Sequence, residues 1–161
     1  MSSRTPHSKT SATAPADWMQ RLDHQLCFAL YSGSLVMTKL YKPVLSALGL
    51  TYPQYLVLLV LWESDAISVS ELGSRLFLDS GTLTPLLKRM EAAGWLTRLR
   101  AIDDERRVIV SLTAAGRALQ RKARHVPTEV ACASGCALDE LADLTRRLQA
   151  LRASVGRHLA A

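Results

Sequence analysis

Apolar residues follow a helical repeat through the N-terminal part of the chain. Spacings of three and four residues predict one long helix over about 17–48, in which Pro43 is expected to cause a kink or an interruption. A second helix is predicted over 53–63, with Thr51 or Tyr52 as its N-cap. Because this second segment is apolar on nearly every side, we expect it to lie at the centre of the core.

Two shorter helical patterns and two extended segments come next. The helices are predicted over 68–76 and 79–94, with Asp79 as the N-cap of the second. Arms at 95–100 and 107–112 predict a β-hairpin with a charged tip. Two helices joined by a turn and followed by such a wing are typical of proteins that hold duplex DNA.

The last part of the chain returns to helical spacing. One helix is predicted from Thr113, its N-cap, to about 130; a break follows at 133–136, and a final helix covers 138 to about 159. The terminal helices have long apolar stripes and no sheet to cover them, so we expect a second copy to cover them by two-fold symmetry. A symmetric dimer also suits palindromic DNA, because it places two recognition helices one helical turn apart.

These patterns together predict a mainly α fold with a small β-hairpin. The fold class is a winged helix-turn-helix with long N- and C-terminal dimerisation helices. One domain is expected over 17–161, with the winged helix at about 50–113 and the dimerisation helices at about 17–48 and 114–160. Residues 1–16 are polar and rich in Ser, Thr and Pro, which predicts a disordered arm.

Composition narrows the class of protein only slightly. The chain is 48% hydrophobic, which indicates a folded core, and its net charge of +6 favours an anionic partner, although ribosomal and membrane-surface proteins share such a charge. The longest apolar run, 55–62, is too short to cross a bilayer, and the N-terminus lacks a signal-peptide core. A cytoplasmic protein with no membrane association is therefore expected. Three cysteines, an odd number, argue against a secreted disulfide framework.

The second short helix has an inner and an outer face. Its apolar side chains are spaced to share one buried face: Leu83, Leu86, Leu87 and Met90. Its polar side chains are the candidate DNA contacts: Ser80, Thr82, Thr84, Lys88 and Arg89. Small hydroxyl groups near a helix N-terminus can approach base edges and phosphates, and the two cations can reach a phosphate or a guanine edge.

The tip of the hairpin has an arginine two residues after an aspartate. Arg106 can enter a minor groove, where negative potential is concentrated, and Asp104 can hold the Arg106 guanidinium by a bidentate pair. The alternative interpretation is a solvated polar turn whose charges pair with one another. The position of the hairpin directly after two short helices favours the DNA-binding interpretation.

The wing and the helix after it resemble those of MarR-type repressors. The similar segments are Trp95-Leu-Thr-Arg98, Asp103-Asp-Glu-Arg-Arg107 and the run from Val108 through Leu112-Thr-Ala-Ala-Gly116. The resemblance covers about residues 20–160, with the elements in the same order. It implies a homodimeric regulator of transcription, not an enzyme, that binds double-stranded palindromic operator DNA. No cofactor is expected.

The segments around Cys27 are similar to those of a narrower group. A lone helical cysteine is usually a packing residue and less often a reactive thiol. However, 23–31, 39–45 and 48–58 are very similar to OhrR, the organic hydroperoxide sensors of the MarR family. This resemblance implies that Cys27 is the residue oxidised by the peroxide.

Three tyrosines also fall at positions where the OhrR group has them. The resemblance implies that the phenols corresponding to Tyr41 and Tyr52 hydrogen-bond to the Cys27 sulfur, partly across the dimer. Tyr31 matches a third tyrosine of the group. A phenol that donates to a thiolate favours the charged form, and the thiolate is the form that attacks a peroxide.

Two further cysteines lie in the region where two-cysteine OhrR proteins have a resolving cysteine, near the start of the last helix of the other subunit. The resemblance favours Cys132 as the resolver, and Cys136 could substitute for it. Both could instead be small apolar residues at a helix junction. A metal site is not expected, because His125 and His158 are isolated along the chain.

The leading hypothesis is a repressor whose reduced dimer binds operator DNA. An organic hydroperoxide would oxidise Cys27, and an intersubunit disulfide from Cys27 to Cys132 would release the DNA. Two other hypotheses remain open. One is a MarR-type repressor released by a non-covalent small aromatic ligand, and the other is a thiol peroxidase that uses Cys27.

Overall fold

The computed structural model of the chain describes residues 20–104 and 106–159, and most of them are helical. The helices are α1 Leu26–Ser46, α2 Tyr52–Glu63, α3 Val69–Leu76, α4 Ser80–Ala92, α5 Ala114–Lys122, α6 Val126–Ser134 and α7 Leu138–Leu159. The strands are β1 Ile67–Ser68, β2 Leu96–Arg100 and β3 Val108–Leu112. These elements confirm the predicted mainly α winged helix-turn-helix. The predicted arm over 1–16 lies outside the described residues.

The chain divides into two compact units within α1, one ending at Met37 and the other beginning at Thr38. Because the boundary falls inside one helix it marks no linker, and one domain over 17–161 stays a prediction. The second unit has an apolar core. Its large, fully buried side chains include Leu45, Leu58, Leu61, Leu72, Leu83, Leu87, Met90 and Leu96. The prediction that the helix after Thr51 is central to this core is confirmed, because five of its side chains are buried.

The first helix begins later than the apolar repeat predicted. The predicted start at 17 lies outside the described residues, and a 3-10 turn at Leu22–His24 precedes α1. Extended backbone at Arg21 and Gln25 flanks this turn. The prediction of helix in this segment was wrong, because apolar spacing continues through a 3-10 turn and does not distinguish it from an α-helix.

Pro43 lies in the last turn of α1 and does not interrupt the helix. A proline removes the hydrogen bond that an N–H would donate to the carbonyl four residues earlier. The expected interruption was wrong because only three residues of the helix follow Pro43, and one of them, Leu45, is fully buried in the core. Gly49, with φ +72°, then ends this turn in the left-handed region that favours glycine.

The long helix predicted after the wing is divided in two. Thr113 is the N-cap of α5 as predicted, and its hydroxyl accepts from the Gly116 N–H at 3.1 Å. A 3-10 turn at Ala123–His125 separates α5 from α6, which has Pro127 in its first turn. Proline has no N–H and is tolerated at a helix start, so a new helix begins at this point. Gly135, with φ +71°, ends α6 and confirms the predicted break before α7.

The wing belongs to a three-stranded antiparallel sheet in the order β1-β3-β2. Val110 of β3 is central, since it lies opposite Ile67 on one side and Arg98 on the other. Leu96 lies opposite Leu112 where the wing joins the core. The two predicted arms are confirmed, but the prediction of a hairpin alone was incomplete. A strand of two residues is too short to show an alternating pattern.

Both ends of the described chain expose apolar side chains. Helix α7 has no buried residue over 138–159. Its exposed large apolar side chains are Leu138, Leu144, Leu148, Val155 and Leu159. The first unit separately exposes Leu22, Leu26, Leu30, Tyr31, Leu35, Val36 and Met37. Among residues 20–104 and 106–159, no helix is both long enough and apolar enough to span a membrane.

Candidate DNA-binding surface and redox site

The turn between α3 and α4 brings the two helices close together. The Ser68 hydroxyl caps α3 by accepting from the Glu71 N–H at 3.1 Å. Gly73 permits the close approach that follows, because a Cβ there would lie 2.8 Å from the Leu78 carbonyl oxygen. Phe77 ends α3 in the left-handed conformation, with φ +56°. The Ser68 cap, the absence of a Cβ at Gly73 and the left-handed conformation of Phe77 together position α4.

Helix α4 has the two faces that its sequence predicted. Its apolar side chains are buried: Leu83, Leu86, Leu87 and Met90. Of the predicted DNA contacts, four are exposed and Thr84 is half-buried; the exposed ones are Ser80, Thr82, Lys88 and Arg89. Pro85 is also exposed, three residues after Thr82 on the outer face, and the sequence prediction omitted it. The i, i+3 spacing from Thr82 could have identified it.

Asp79 and Thr82 form the N-terminal cap of α4. One Asp79 carboxylate oxygen accepts from the Thr82 backbone N–H at 2.9 Å, and the other accepts from the Thr82 hydroxyl, also at 2.9 Å. These hydrogen bonds, the backbone one first, lower the pKa of Asp79. The predicted capping role of Asp79 is confirmed. The Thr82 hydroxyl proton is already donated within the chain, so toward DNA this oxygen can act as an acceptor.

An ion pair joins the wing to the C-terminal end of α4. The Glu91 carboxylate accepts from the Arg98 backbone N–H at 2.9 Å, from Nε at 3.0 Å and from Nη2 at 2.7 Å. The Arg98 side chain is the main cause of the lowered pKa of Glu91. The sequence prediction did not include this pair. A glutamate in the last turn of a helix is disfavoured by the helix dipole, which was a signal that a cation lies nearby.

The other end of the wing is fixed by Asp65 and Gly116. The Asp65 carboxylate accepts from the Leu112 N–H at 2.8 Å and forms an ion pair with Arg117 of α5. A Cβ at Gly116 would lie 2.0 Å from the Trp95 carbonyl oxygen, so only glycine fits there. The base of the wing is therefore packed directly against the loop before β1 and against the start of α5.

The tip of the wing differs from the expected arrangement. Asp104 Oδ1 accepts from the Arg106 backbone N–H at 3.0 Å, whereas a bidentate pair with the Arg106 guanidinium was expected. The ion pair at the tip joins Arg107 to Asp103, with 3.2 Å between Nη1 and Oδ2. Within the described part of the chain, the Arg106 guanidinium has no carboxylate partner. Asp104 thus shapes the turn through the Arg106 backbone N–H.

Tyr41 and Tyr52 lie together in the second unit, with ring centroids 4.7 Å apart. Tyr55 joins them, with its centroid 6.1 Å from that of Tyr41, although the sequence prediction did not include it. Burial raises the pKa of all three phenols, and the proximity of other tyrosines raises those of Tyr41 and Tyr55 further. The phenols are therefore neutral hydrogen-bond donors at neutral pH. Tyr31, in the first unit, is exposed.

All three cysteines are free thiols and are exposed in the chain. Cys27 is the second residue of α1 in the first unit. Cys132 lies near the end of α6, and Cys136 follows Gly135 in the connection to α7. Exposure disfavours the interpretation that they are core packing residues. Within the described ranges, no group of three or more His, Cys, Asp or Glu side chains is placed to hold a metal ion.

Comparison with known proteins identifies the family. Residues 39–122 match the family model described as transcriptional regulator SarA/Rot. The chain is 49% identical over 131 residues to the organic hydroperoxide resistance transcriptional regulator of Bacillus subtilis, covering 81% of this chain and 89% of that protein. The chain belongs to the MarR/SarA family of transcriptional regulators. The resemblance seen in the sequence is confirmed, and family membership favours a regulator over a thiol peroxidase.

Other members of the MarR/SarA family extend the match to nearly the whole chain. The regulator TtmR of Methylorubrum extorquens is 48% identical over 147 residues, covering 91% of this chain and 75% of that protein. The structure of reduced AbfR bound to DNA, a Staphylococcus epidermidis protein, is 36% identical with a TM-score of 0.72, covering 91% of this chain and 99% of AbfR. The structure of disulfide-formed AbfR is 38% identical with a TM-score of 0.59, covering 84% and 95%.

Proposed function

We propose that this regulator is a homodimeric repressor of palindromic operator DNA that organic hydroperoxides inactivate by oxidising Cys27. The observation that carries the proposal is the 49% identity to a regulator of organic hydroperoxide resistance, together with an exposed free thiol at Cys27. Within its own chain Cys27 is therefore not a core residue, and a thiol outside the core is the kind that a peroxide can oxidise.

The DNA-binding half of the proposal rests on α4 and the wing. Ser80, Lys88 and Arg89 are exposed on α4, where the hydroxyl can meet a base edge and each cation can meet a phosphate or a guanine edge. Arg106 has no carboxylate partner among the described residues and can enter the adjacent minor groove. The likeness to AbfR, whose reduced form has been seen on DNA, supports this use of the surface.

The dimer is supported by apolar surface at both ends of the chain. Helix α7 exposes a row of large apolar side chains over 138–159, and the start of α1 exposes another. Exposed apolar faces of this length mark contacts with other protein chains. A second copy related by two-fold symmetry would cover them and place two α4 helices on one face of the DNA.

The redox half of the proposal is a two-electron oxidation of sulfur. The Cys27 thiolate attacks one oxygen of the hydroperoxide; the O–O bond breaks, a sulfenic acid forms and the other oxygen takes a proton and leaves as an alcohol. The Cys132 thiol from the other protomer then attacks the sulfenic sulfur, and water leaves as the disulfide forms. The neutral phenols of Tyr41 and Tyr52 are the proposed donors to the Cys27 thiolate.

The experiment measures operator binding before and after treatment with cumene hydroperoxide at one stated salt concentration. We expect the untreated wild type to bind and the treated wild type to lose its DNA, whereas Cys27→Ser binds in both conditions. Peptide mapping under non-reducing conditions should find Cys27 joined to Cys132, and Cys136→Ser should still form this link. Release of DNA from oxidised Cys27→Ser would overturn the proposal, and a link to Cys136 would reassign the resolver.

A hollow of about 300 Å³ favours a second candidate function, a repressor released by a non-covalent aromatic ligand. Lys39, Lys42 and Tyr52 line this hollow together with Leu50 and Pro53. Two cations beside apolar walls suit an aromatic carboxylate, and the volume is at the lower end of the usual range for ligand pockets. Release of DNA from Cys27→Ser by salicylate, but not by the hydroperoxide, would select this candidate.

A further inference from the structure

The guanidinium of Arg152, on α7, lies over the ring of Phe77, at the turn between α3 and α4. The guanidinium carbon is 4.5 Å from the ring centroid, within the range of a cation–π interaction. Phe77 and Arg152 are 75 positions apart in the sequence and belong to the same compact unit. This contact therefore joins the C-terminal helix to the turn that positions the recognition helix α4.

Phe77 is an unusual residue for its position. Its φ of +56° lies in the left-handed region, where glycine or asparagine is preferred and a large side chain is strained. The residue is nevertheless 68% exposed, so its ring contributes little to the core. The ring borders a hollow of about 530 Å³, which is also lined by Gly73, Asp79 and Ser80. A strained, exposed aromatic residue beside the start of α4 needs a reason beyond burial, and its contact with Arg152 provides one.

Helix α7 is well placed to transmit a change from its N-terminal end. It begins two residues after Cys136, beyond the left-handed Gly135 that ends α6. At 1.5 Å per residue, Arg152 lies about 21 Å along the helix from Leu138. A tilt of about 10° at that junction would move Arg152 by about 4 Å, and such a movement directed away from the ring takes the guanidinium beyond the reach of about 6 Å for a cation–π interaction. Because α7 has no buried residue over 138–159 within its own chain, its position depends on the contact with Phe77 and on the second copy proposed to cover its apolar side chains.

We propose that Arg152 is a positioning residue for operator binding, which acts through Phe77. With the cysteines free, the contact holds the turn before α4 and links it to α7. A disulfide at Cys132 pulls on the α6–α7 junction, tilts α7 and removes the contact. The positioning role of Arg152, which is the first statement, concerns the reduced protein alone. The loss of the contact on disulfide formation, which is the second statement, rests on the proposed redox function.

The test measures the affinity of reduced protein for a duplex selected by the wild type from a random DNA library. All variants are made in a Cys27→Ser background, so the result does not depend on peroxide chemistry. We expect Arg152→Gln to weaken binding about two- to fivefold, the factor that an exposed cation–π contact supplies, and Arg152→Lys to retain part of the affinity. Arg157→Gln removes the same charge five residues later on α7 and is the matched control.

Coupling between the two residues is measured with Phe77→Leu and the double variant. If Arg152 acts through Phe77, the double variant binds no more weakly than Phe77→Leu alone. Equal losses in Arg152→Gln and Arg157→Gln, or additive losses in the double variant, would overturn the proposal. If Phe77→Leu does not fold, the comparison of Arg152→Gln, Arg152→Lys and Arg157→Gln still tests whether Arg152 contributes to operator binding. Both arginines are exposed, so we expect these three variants to fold.

The link to oxidation is tested with wild-type Cys27. After cumene hydroperoxide treatment, we expect Arg152→Gln and the wild type to have the same residual affinity for the selected duplex. The reason is that the disulfide has already removed the contact between Arg152 and Phe77 in the wild type. A difference between them that persists after oxidation would refute the second statement. A protein that is not oxidised at all would refute the proposed function and leave the reduced-state result intact.

Discussion

Glu91 and Arg98 connect the recognition helix to the wing through one carboxylate, which accepts three hydrogen bonds from a single arginine. Glu91 is in the last turn of α4, and Arg98 is the middle residue of β2. The two side chains are 36% and 21% exposed, so the pair is only partly screened by water. Because the arginine holds the carboxylate with both its side chain and its backbone, the pair fixes direction as well as distance between helix and wing.

Replacement of Glu91 by Gln should lower both stability and operator affinity. We expect a loss of about 0.5–1.5 kcal/mol in the free energy of unfolding, a modest value because solvent partly screens the pair. The pKa of Glu91 is lowered by Arg98, so its contribution is present above the unfolded-state pKa and is lost as pH falls through the folded-state pKa. Urea unfolding at several acidic pH values should therefore show a weaker pH dependence in Glu91→Gln than in the wild type. Parallel curves for the two proteins would contradict this account.

Replacement of Gly116 by Ala should be strongly destabilising. The new Cβ would lie 2.0 Å from the Trp95 carbonyl oxygen, and backbone must move to accept it. We expect a loss of about 2–3 kcal/mol in the free energy of unfolding, or a failure to fold. Gly156→Ala is the matched control, because no atom lies within 4 Å of its Cβ position and alanine favours helix by up to about 1 kcal/mol. Equal melting temperatures for the two variants would show that the wing base is not tightly packed.

Replacement of Arg106 by Ala should weaken operator binding more than the same change at Arg107. Arg107 is paired with Asp103, whereas Arg106 has no carboxylate partner within the described residues. We expect Arg106→Ala to lose about 5- to 30-fold in affinity and to reduce the slope of log affinity against log salt by about 1. Titrations at three salt concentrations measure both quantities. A larger loss for Arg107→Ala would show that the tip rearranges on DNA.

The tyrosine cluster should make the protein sensitive to alkali. Burial raises the pKa of Tyr41, Tyr52 and Tyr55, so their contribution to stability is present below the unfolded-state pKa of about 10 and is lost as pH rises through the folded-state values. Ultraviolet absorbance of tyrosinate should show a component that titrates later than free tyrosine and coincides with unfolding. Tyr41→Phe should remove part of that component. A single titration near the ordinary value would contradict the burial seen here.

The elements that the sequence predicted well have strong local signals. Asp79 and Thr113 are both N-caps, as their position before helical repeats predicted, and the buried face of α4 follows directly from its apolar spacing. The predicted residues of the DNA-binding surface lie on α4 and the wing for the same reason. Local chemistry sufficed for these features, because a cap or a helical face depends on residues within one or two turns.

The features that the sequence did not predict depend on contacts between distant segments. Strand β1 has only two residues and exists because Ile67 pairs with Val110. The Asp65 carboxylate meets Leu112 across 47 positions, which no local pattern reveals. Asp104 was assigned to the Arg106 guanidinium, but within a tight turn the Arg106 backbone N–H is the donor that the carboxylate meets. The hydrogen-bond partner of a side chain in such a turn can be assigned only when the backbone conformation of the turn is known.

The cap on α4 has a consequence for how this regulator would use electrostatic attraction. The exposed N–H groups at the start of a helix ordinarily attract phosphate. In α4 the Asp79 carboxylate already accepts from this end, so an approaching phosphate would meet a negative charge there. Attraction to the polyanionic backbone would then come from side chains such as Lys88 and Arg106, while Ser80 and Thr82, beside the carboxylate, would meet base edges and not phosphates. The Asp79 cap would thus disfavour non-specific complexes in which a DNA phosphate lies close to its carboxylate. Complexes that keep the DNA backbone away from Asp79 would not be affected.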